Sequence, residues 1–172
     1  MKIVTTPMCE EIVRLAGITD YAVNKFPSKE DGDFAILLSE SKVEMDCLAI
    51  KINTPKQVFE SIKKVSKING NELSDMDVQA FFDDYKIAKK YLNSSFKRAI
   101  NVKVYSEFLK DIVFDVGFNV VSDDFDYVIY PDYLKDKVIE DENLVEIPSH
   151  NSISKNPFEK IEARYAILEK LI

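Results

Sequence analysis

Two stretches of this sequence overlay without a gap when one is shifted by 100 positions. Val4 falls on Val104, Thr6 on Ser106, Glu11 on Asp111, Ile12-Val13 on Ile112-Val113 and Gly17 on Gly117. Each copy reads as a strand, a helix closed by glycine and a second strand, since a glycine just past the last periodic residue is a common helix end. A loop and another apolar strand follow, introduced both times by an aspartate: Asp33-Phe34-Ala35-Ile36-Leu37 and Asp126-Tyr127-Val128-Ile129-Tyr130. Continuous apolar runs of this kind suit parallel strands covered on both faces. The echo therefore points to an α/β chain made of two small Rossmann-like lobes. The alternative is one mixed α/β sheet, in which the two units look alike because all strand-helix-glycine-strand units do.

Local signals place the remaining elements. Lys2 to Thr5 reads as a strand. Thr6 caps the helix after it, with Pro7 at the first helical position, where a missing N–H costs nothing. Cys47 to Ile52 is a further strand, and its cysteine is expected in the core. Thr54-Pro55-Lys56-Gln57 is a capping box ahead of Val58, Ile62, Val65 and Ile68. Ser74 opens a longer helix carrying Val78, Phe81, Phe82, Tyr85, Ala88 and Leu92, expected to reach Ile100 with a break near Asn93-Ser94-Ser95. Asn156-Pro157-Phe158-Glu159 starts a final helix with Ile161, Tyr165, Leu168 and Leu171 on one stripe. This reading gives a first lobe at 1–73, a long linking helix at 74–100, a second lobe at 101–156 and a C-terminal helix at 157–172.

The charge balance excludes some functions. The net charge is −7, yet residues 1–70 carry ten acids and ten bases, so the excess is confined to the remainder. It is densest over residues 107–146, with twelve acids and three bases. No basic stripe with interleaved aromatics is present, so nucleic acid is not an expected partner. The acidic face is either a solvated surface or a docking face for a basic protein. No run of 18 apolar residues exists, and Met1-Lys2-Ile3-Val4 enters a strand-like segment at once, leaving no room for a leader. A cytoplasmic protein without a membrane partner is expected.

In open α/β sheets, ligands bind beyond the carboxyl ends of the strands. In the first lobe that place holds Thr5, Thr6 and Cys9, with Ser39 after the second apolar strand; in the second it holds Tyr105 and Ser106, with Pro131, Asp132 and Tyr133. N–H groups at the start of the first helix and the hydroxyls of Thr5 and Thr6 offer donors to a small anion. Plain capping is the simpler reading of the threonines, and no glycine-rich phosphate loop accompanies them. Cys9 in a first helical turn would have its thiolate favoured by the helix dipole and opposed by Glu10 and Glu11; the other reading is a core thiol. His150 sits in a polar loop and is conceivable as a base for Cys9. Asp123, Asp124 and Asp126, and Glu140, Asp141 and Glu142, carry oxygens for a hard cation but lack calcium-loop spacing. Phe81, Phe82, Tyr85 and Tyr91 fit a core-facing stripe or, alternatively, a stacking platform for a planar cofactor.

The strand ending in Thr5-Thr6-Pro7, the helix start at Glu10-Glu11, Gly17 and the Gly32-Asp33-Phe34-Ala35-Ile36-Leu37-Leu38 strand resemble, in topology, the lobes of class III periplasmic binding proteins and of nitrogenase component 1 proteins. That resemblance implies two lobes joined by a helix. The Thr5-Thr6-Pro7-Met8-Cys9-Glu10-Glu11 opening and the Ile147-Pro148-Ser149-His150 to Asn156-Pro157-Phe158-Glu159 tail resemble uncharacterised proteins of methanogenic archaea of the methanogenesis marker type. This second resemblance implies an accessory role in cofactor or enzyme maturation. The expected function is accordingly a cytosolic accessory or binding protein. It would hold a small anionic ligand, a metallocofactor or a protein partner at an inter-lobe cleft lined by Thr5, Thr6, Cys9, Ser39 and Ser106. The alternatives are a small enzyme using Cys9 or a cleft carboxylate, and a structural subunit without ligand.

Overall fold

The structure, a computed structural model, describes residues 1–149 and 153–172. The chain forms two compact units, one of residues 1–84 with 155–157, the other of residues 85–154 with 158–172. Each holds one four-stranded, wholly parallel sheet. The mixed single sheet is thus set aside in favour of two Rossmann-like lobes.

In the first unit the strands are β1 (Ile3–Thr5), β2 (Tyr21–Val23), β3 (Phe34–Leu38) and β4 (Cys47–Ile50), in the order β2-β1-β3-β4. The helices are α1 (Glu10–Leu15), α2 (Pro55–Ile68) and α3 (Asp75–Ala80). Val4, Ala35 and Leu37 form a buried cluster with Ala22, Val43 and Met45 packed against it. In the second unit α4 (Lys86–Asn93) precedes β5 (Asn101–Val104), α5 (Glu107–Val116), β6 (Asn119–Val120), β7 (Tyr127–Pro131), a 3-10 turn (Asp132–Lys137), β8 (Leu144–Ile147) and α6 (Pro157–Glu169). Its sheet runs β6-β5-β7-β8, the same winding as the first.

The echo in sequence is an echo in hydrogen bonding. The Asp33 carboxylate accepts the Lys2 N–H at 2.8 Å, and the Asp126 carboxylate accepts the Asn101 N–H at 2.9 Å. Each aspartate thereby ties the loop before the third strand of its sheet to the start of the central strand. The helix ends match as well. Gly17 and Gly117 stand at φ +90° and +95°, and the residues after them, Ile18 and Phe118, donate to Val13 and Val113 at 3.2 and 3.0 Å.

The sequence-predicted capping box is present at α2. The Gln57 N–H donates to the Thr54 hydroxyl at 3.2 Å, and the Gln57 side chain accepts the Thr54 N–H at 3.3 Å. Replacing Thr54 by alanine is expected to cost about 1 kcal/mol in urea denaturation, with serine costing less. A loss no greater for alanine than for serine would mean that solvent satisfies the exposed helix donors.

Three expectations are corrected. The long linking helix 74–100 is instead two short helices, α3 and α4, separated by a turn over 81–84. The carboxylate of Glu162, 75 positions away, accepts the Ile87 N–H at 3.0 and 3.2 Å and so supplies a second helix start where the sequence shows only continuing periodicity. Phe82 and Tyr91 are fully buried, and Tyr85 stacks on Phe158 at 4.9 Å, so these rings do packing work. Cys47 is exposed, because β4 is an edge strand and its first residue points to solvent. Helix α1 starts at Glu10, later than Thr6-Pro7 suggests: the Cys9 N–H returns to the Thr6 carbonyl at 3.0 Å in a tighter turn, and the first α-type bond runs from Val13 to Cys9 at 3.2 Å.

Candidate functional site

The carboxyl edge of the first sheet carries the expected residues, but most of them serve the fold. The Thr5 hydroxyl donates to the Ile36 carbonyl at 2.8 Å and braces β1 against β3. Cys9 is fully buried at the N-cap of α1. A thiol reacts as an exposed thiolate, and this burial withdraws it from a substrate. Ser39 lies on the surface, its N–H bonded to the Ile50 carbonyl at 2.9 Å. Thr6 is 7% exposed and its hydroxyl has no hydrogen-bond partner among the described residues. With only six residues, α1 offers little dipole to an anion there. His150, and with it the expected pairing to Cys9, lies outside the described residues.

A crevice of about 920 Å³ lies at the opposite, amino edge of this sheet, between the 27–30 and 42–45 loops. Lys29 and Lys42 line it together with Glu30 and Glu44, so its lining carries no net charge.

The carboxyl edge of the second sheet is built differently. Ser106 lies two residues past β5 at the N-cap position of α5, and its hydroxyl takes no helix N–H. The first N–H groups of a helix lack intrahelical partners and lie at the positive end of its dipole. Phe108 follows in the same turn. Across from it stands Arg164 of α6, whose guanidinium lies 5.1 Å from the Phe108 ring centroid. Its Nε donates to the Pro148 carbonyl, at the end of β8, at 3.0 Å. The next residue, Ser149, is buried and gives its N–H to an Asp132 carboxylate oxygen at 3.2 Å, at the end of β7. Thus β5, β7, β8, α5 and α6 all contribute to one edge.

Arg164 is 4% exposed, and its Nη2 is buried with no hydrogen-bond partner among the described residues. Burial lowers its pKa from the ordinary 12.5 to about 10, with the Asp132 charge and then Tyr133 pushing it back up. It therefore remains a cation at neutral pH. An unpaired buried donor costs about 1–3 kcal/mol, and more when charged, so native chains rarely keep one without use. Lys160, one turn earlier on α6, is buried too, at 3% exposure. Chemically, this edge can take an oxyanion.

Of the residues predicted from sequence, Ser106, Asp132 and Tyr133 stand at this edge; Thr5, Thr6, Cys9 and Ser39 belong to the other unit. Arg164 went unpredicted. The available signal was its position: Pro157, Ile161 and Leu168 recur at helical spacing with Arg164 among them, which puts a cation inside an apolar stripe. The acidic run 107–146 is partly structural. Asp115 accepts the Tyr165 hydroxyl, Asp126 the Asn101 N–H, and Glu140 both the Lys103 ammonium and the Tyr105 hydroxyl. The Lys103 and Tyr105 hydrogen bonds hold the Glu140 carboxyl below its usual range. Asp123, Asp124, Asp136, Asp141 and Glu142 remain exposed. Among the described residues, no group of three or more His, Cys, Asp or Glu side chains is placed to hold a metal ion, and no helix is long and apolar enough to cross a membrane.

No protein-family model matches the chain, and no curated protein matches it.

Proposed function

We propose that this chain is a cytoplasmic accessory protein that binds a small oxyanion at the carboxyl edge of its second sheet. The observation that carries this reading is Arg164, a buried cation with an unused donor beside the start of a ten-residue helix. The remaining Arg164 donor, the Ser106 hydroxyl and the first N–H groups of α5 are the donors an anion would use at this edge, the kind of groups that hold anions in parallel α/β units. A guanidinium suits phosphate or carboxylate because its donors lie in one plane. The proposed site lies wholly within the second unit.

Inorganic phosphate tests the reading. Titrated at constant ionic strength, it is expected to raise the melting midpoint saturably, because a ligand that binds only the native state stabilises it by mass action. Arg164→Met is expected to lose this response; because it also removes the hydrogen bond to Pro148 and the counter-charge to Asp132, the response is read against the variant's own phosphate-free midpoint. An unresponsive parent, or an equal response in the variant, would overturn the proposal.

A further inference from the structure

We propose that the anion held at Arg164 is carried on a flat aromatic ring, and that this ring stacks on Tyr133. The inference rests on the anion reading above and specifies the rest of the ligand.

The geometry runs along one hydrogen-bonded path. Arg164 is fixed to Pro148, Ser149 is fixed to Asp132, and Tyr133 follows Asp132 at the top of β7. Tyr133 is 60% exposed at the first turn past the strand, on the edge where an oxyanion would sit. Two aromatic rings belong to this edge, and they have different duties. Phe108 is half-buried and takes the guanidinium against its ring. Tyr133 leaves most of its surface to solvent, so its ring is available to something else.

A rigid ring beside a buried cation distinguishes ligands by what is attached to the anion. A bare phosphate or a sugar phosphate meets only Arg164, Ser106 and the helix donors. A phosphate ester bearing a planar heterocycle gains the Tyr133 contact as well. Base-on-aromatic stacking strengthens binding by roughly tenfold to a hundredfold and tolerates different rings, because every ring has a π-face. The ligand class is therefore an aryl or heterocyclic phosphate of nucleoside-monophosphate size.

The test is calorimetric titration of the full chain with three probes: inorganic phosphate, ribose 5-phosphate and adenosine 5′-monophosphate. The adenosine compound is expected to bind at least about tenfold more tightly than ribose 5-phosphate. Tyr133→Ala is expected to abolish that margin, and Tyr133→Phe to keep it. Tyr133 is exposed, so neither change threatens the fold. Equal affinity for all three probes would overturn the ring and leave the anion site standing. A margin that survives Tyr133→Ala would overturn the role of Tyr133. Binding of none of the probes would overturn both the ring and the anion site.

Discussion

Gly117→Ala is expected to destabilise the protein by about 3–5 kcal/mol, while Gly17→Ala, its counterpart in the echo, costs about 1–2 kcal/mol. Both glycines close a helix in the left-handed region, at φ +95° and +90°. The conformational cost of a side chain is therefore the same at both. The surroundings differ. A Cβ on Gly117 would lie 2.6 Å from the Phe96 carbonyl oxygen and 2.8 Å from its carbon. These are backbone atoms and cannot swing aside. A Cβ on Gly17 would meet only the Asn69 side-chain nitrogen at 3.7 Å, an ordinary contact. Urea denaturation of the two variants decides the matter. Equal losses would mean that the segment around Phe96 gives way and that the left-handed conformation alone carries the cost.

The hydroxyl of Tyr165 is expected to make the protein sensitive to alkali. Tyr165 is fully buried, packs edge-on against Tyr91 at 4.9 Å, and donates to the Asp115 carboxylate at 2.6 Å. Burial first, and the Asp115 charge second, raise its pKa well above the ordinary 10. The folded state thus holds this proton more tightly than the unfolded chain does. The resulting stability is fully present below pH 10 and is lost as pH rises past 10 towards the folded value. At pH 7, Tyr165→Phe is expected to cost about 1.5–3 kcal/mol, the worth of a hydrogen bond to a charged acceptor. Above pH 10 the gap between parent and variant should close by about 1.4 kcal/mol per pH unit, because phenylalanine has no proton to lose. Arg164 titrates in the same range with the opposite sign, but it does so in both chains and cancels from the gap. Urea midpoints of both proteins from pH 7 to 11 measure the effect. A gap that stays constant would show that the Tyr165 hydroxyl ionises as freely as an exposed one.

What the sequence by itself determined is local and periodic. The Thr54 and Gln57 box, the two helix-closing glycines, the apolar strands and the 100-residue echo each depend on residues within a few positions or on a repeated pattern, so they are legible without coordinates. Two α/β lobes follow from them, whereas the strand pairing decided that each lobe has a sheet of its own. The tertiary structure decided whatever depends on a partner far along the chain. Glu162 caps α4 and divides what periodicity reads as one helix. Edge position exposes Cys47, although its neighbours are apolar. The turn at Thr6 and the packing of α1 bury Cys9, which the sequence left open as either nucleophile or core. The candidate site shows the same division. Ser106 was legible because it caps a predicted helix after a predicted strand. Arg164 lies 58 positions further on, and only the docking of α6 brings it to that edge and buries it there. Helix caps and strand runs are set by backbone groups a few residues apart. Burial and charge in a site are set by which segments meet, and one sequence read along its length carries no record of that meeting.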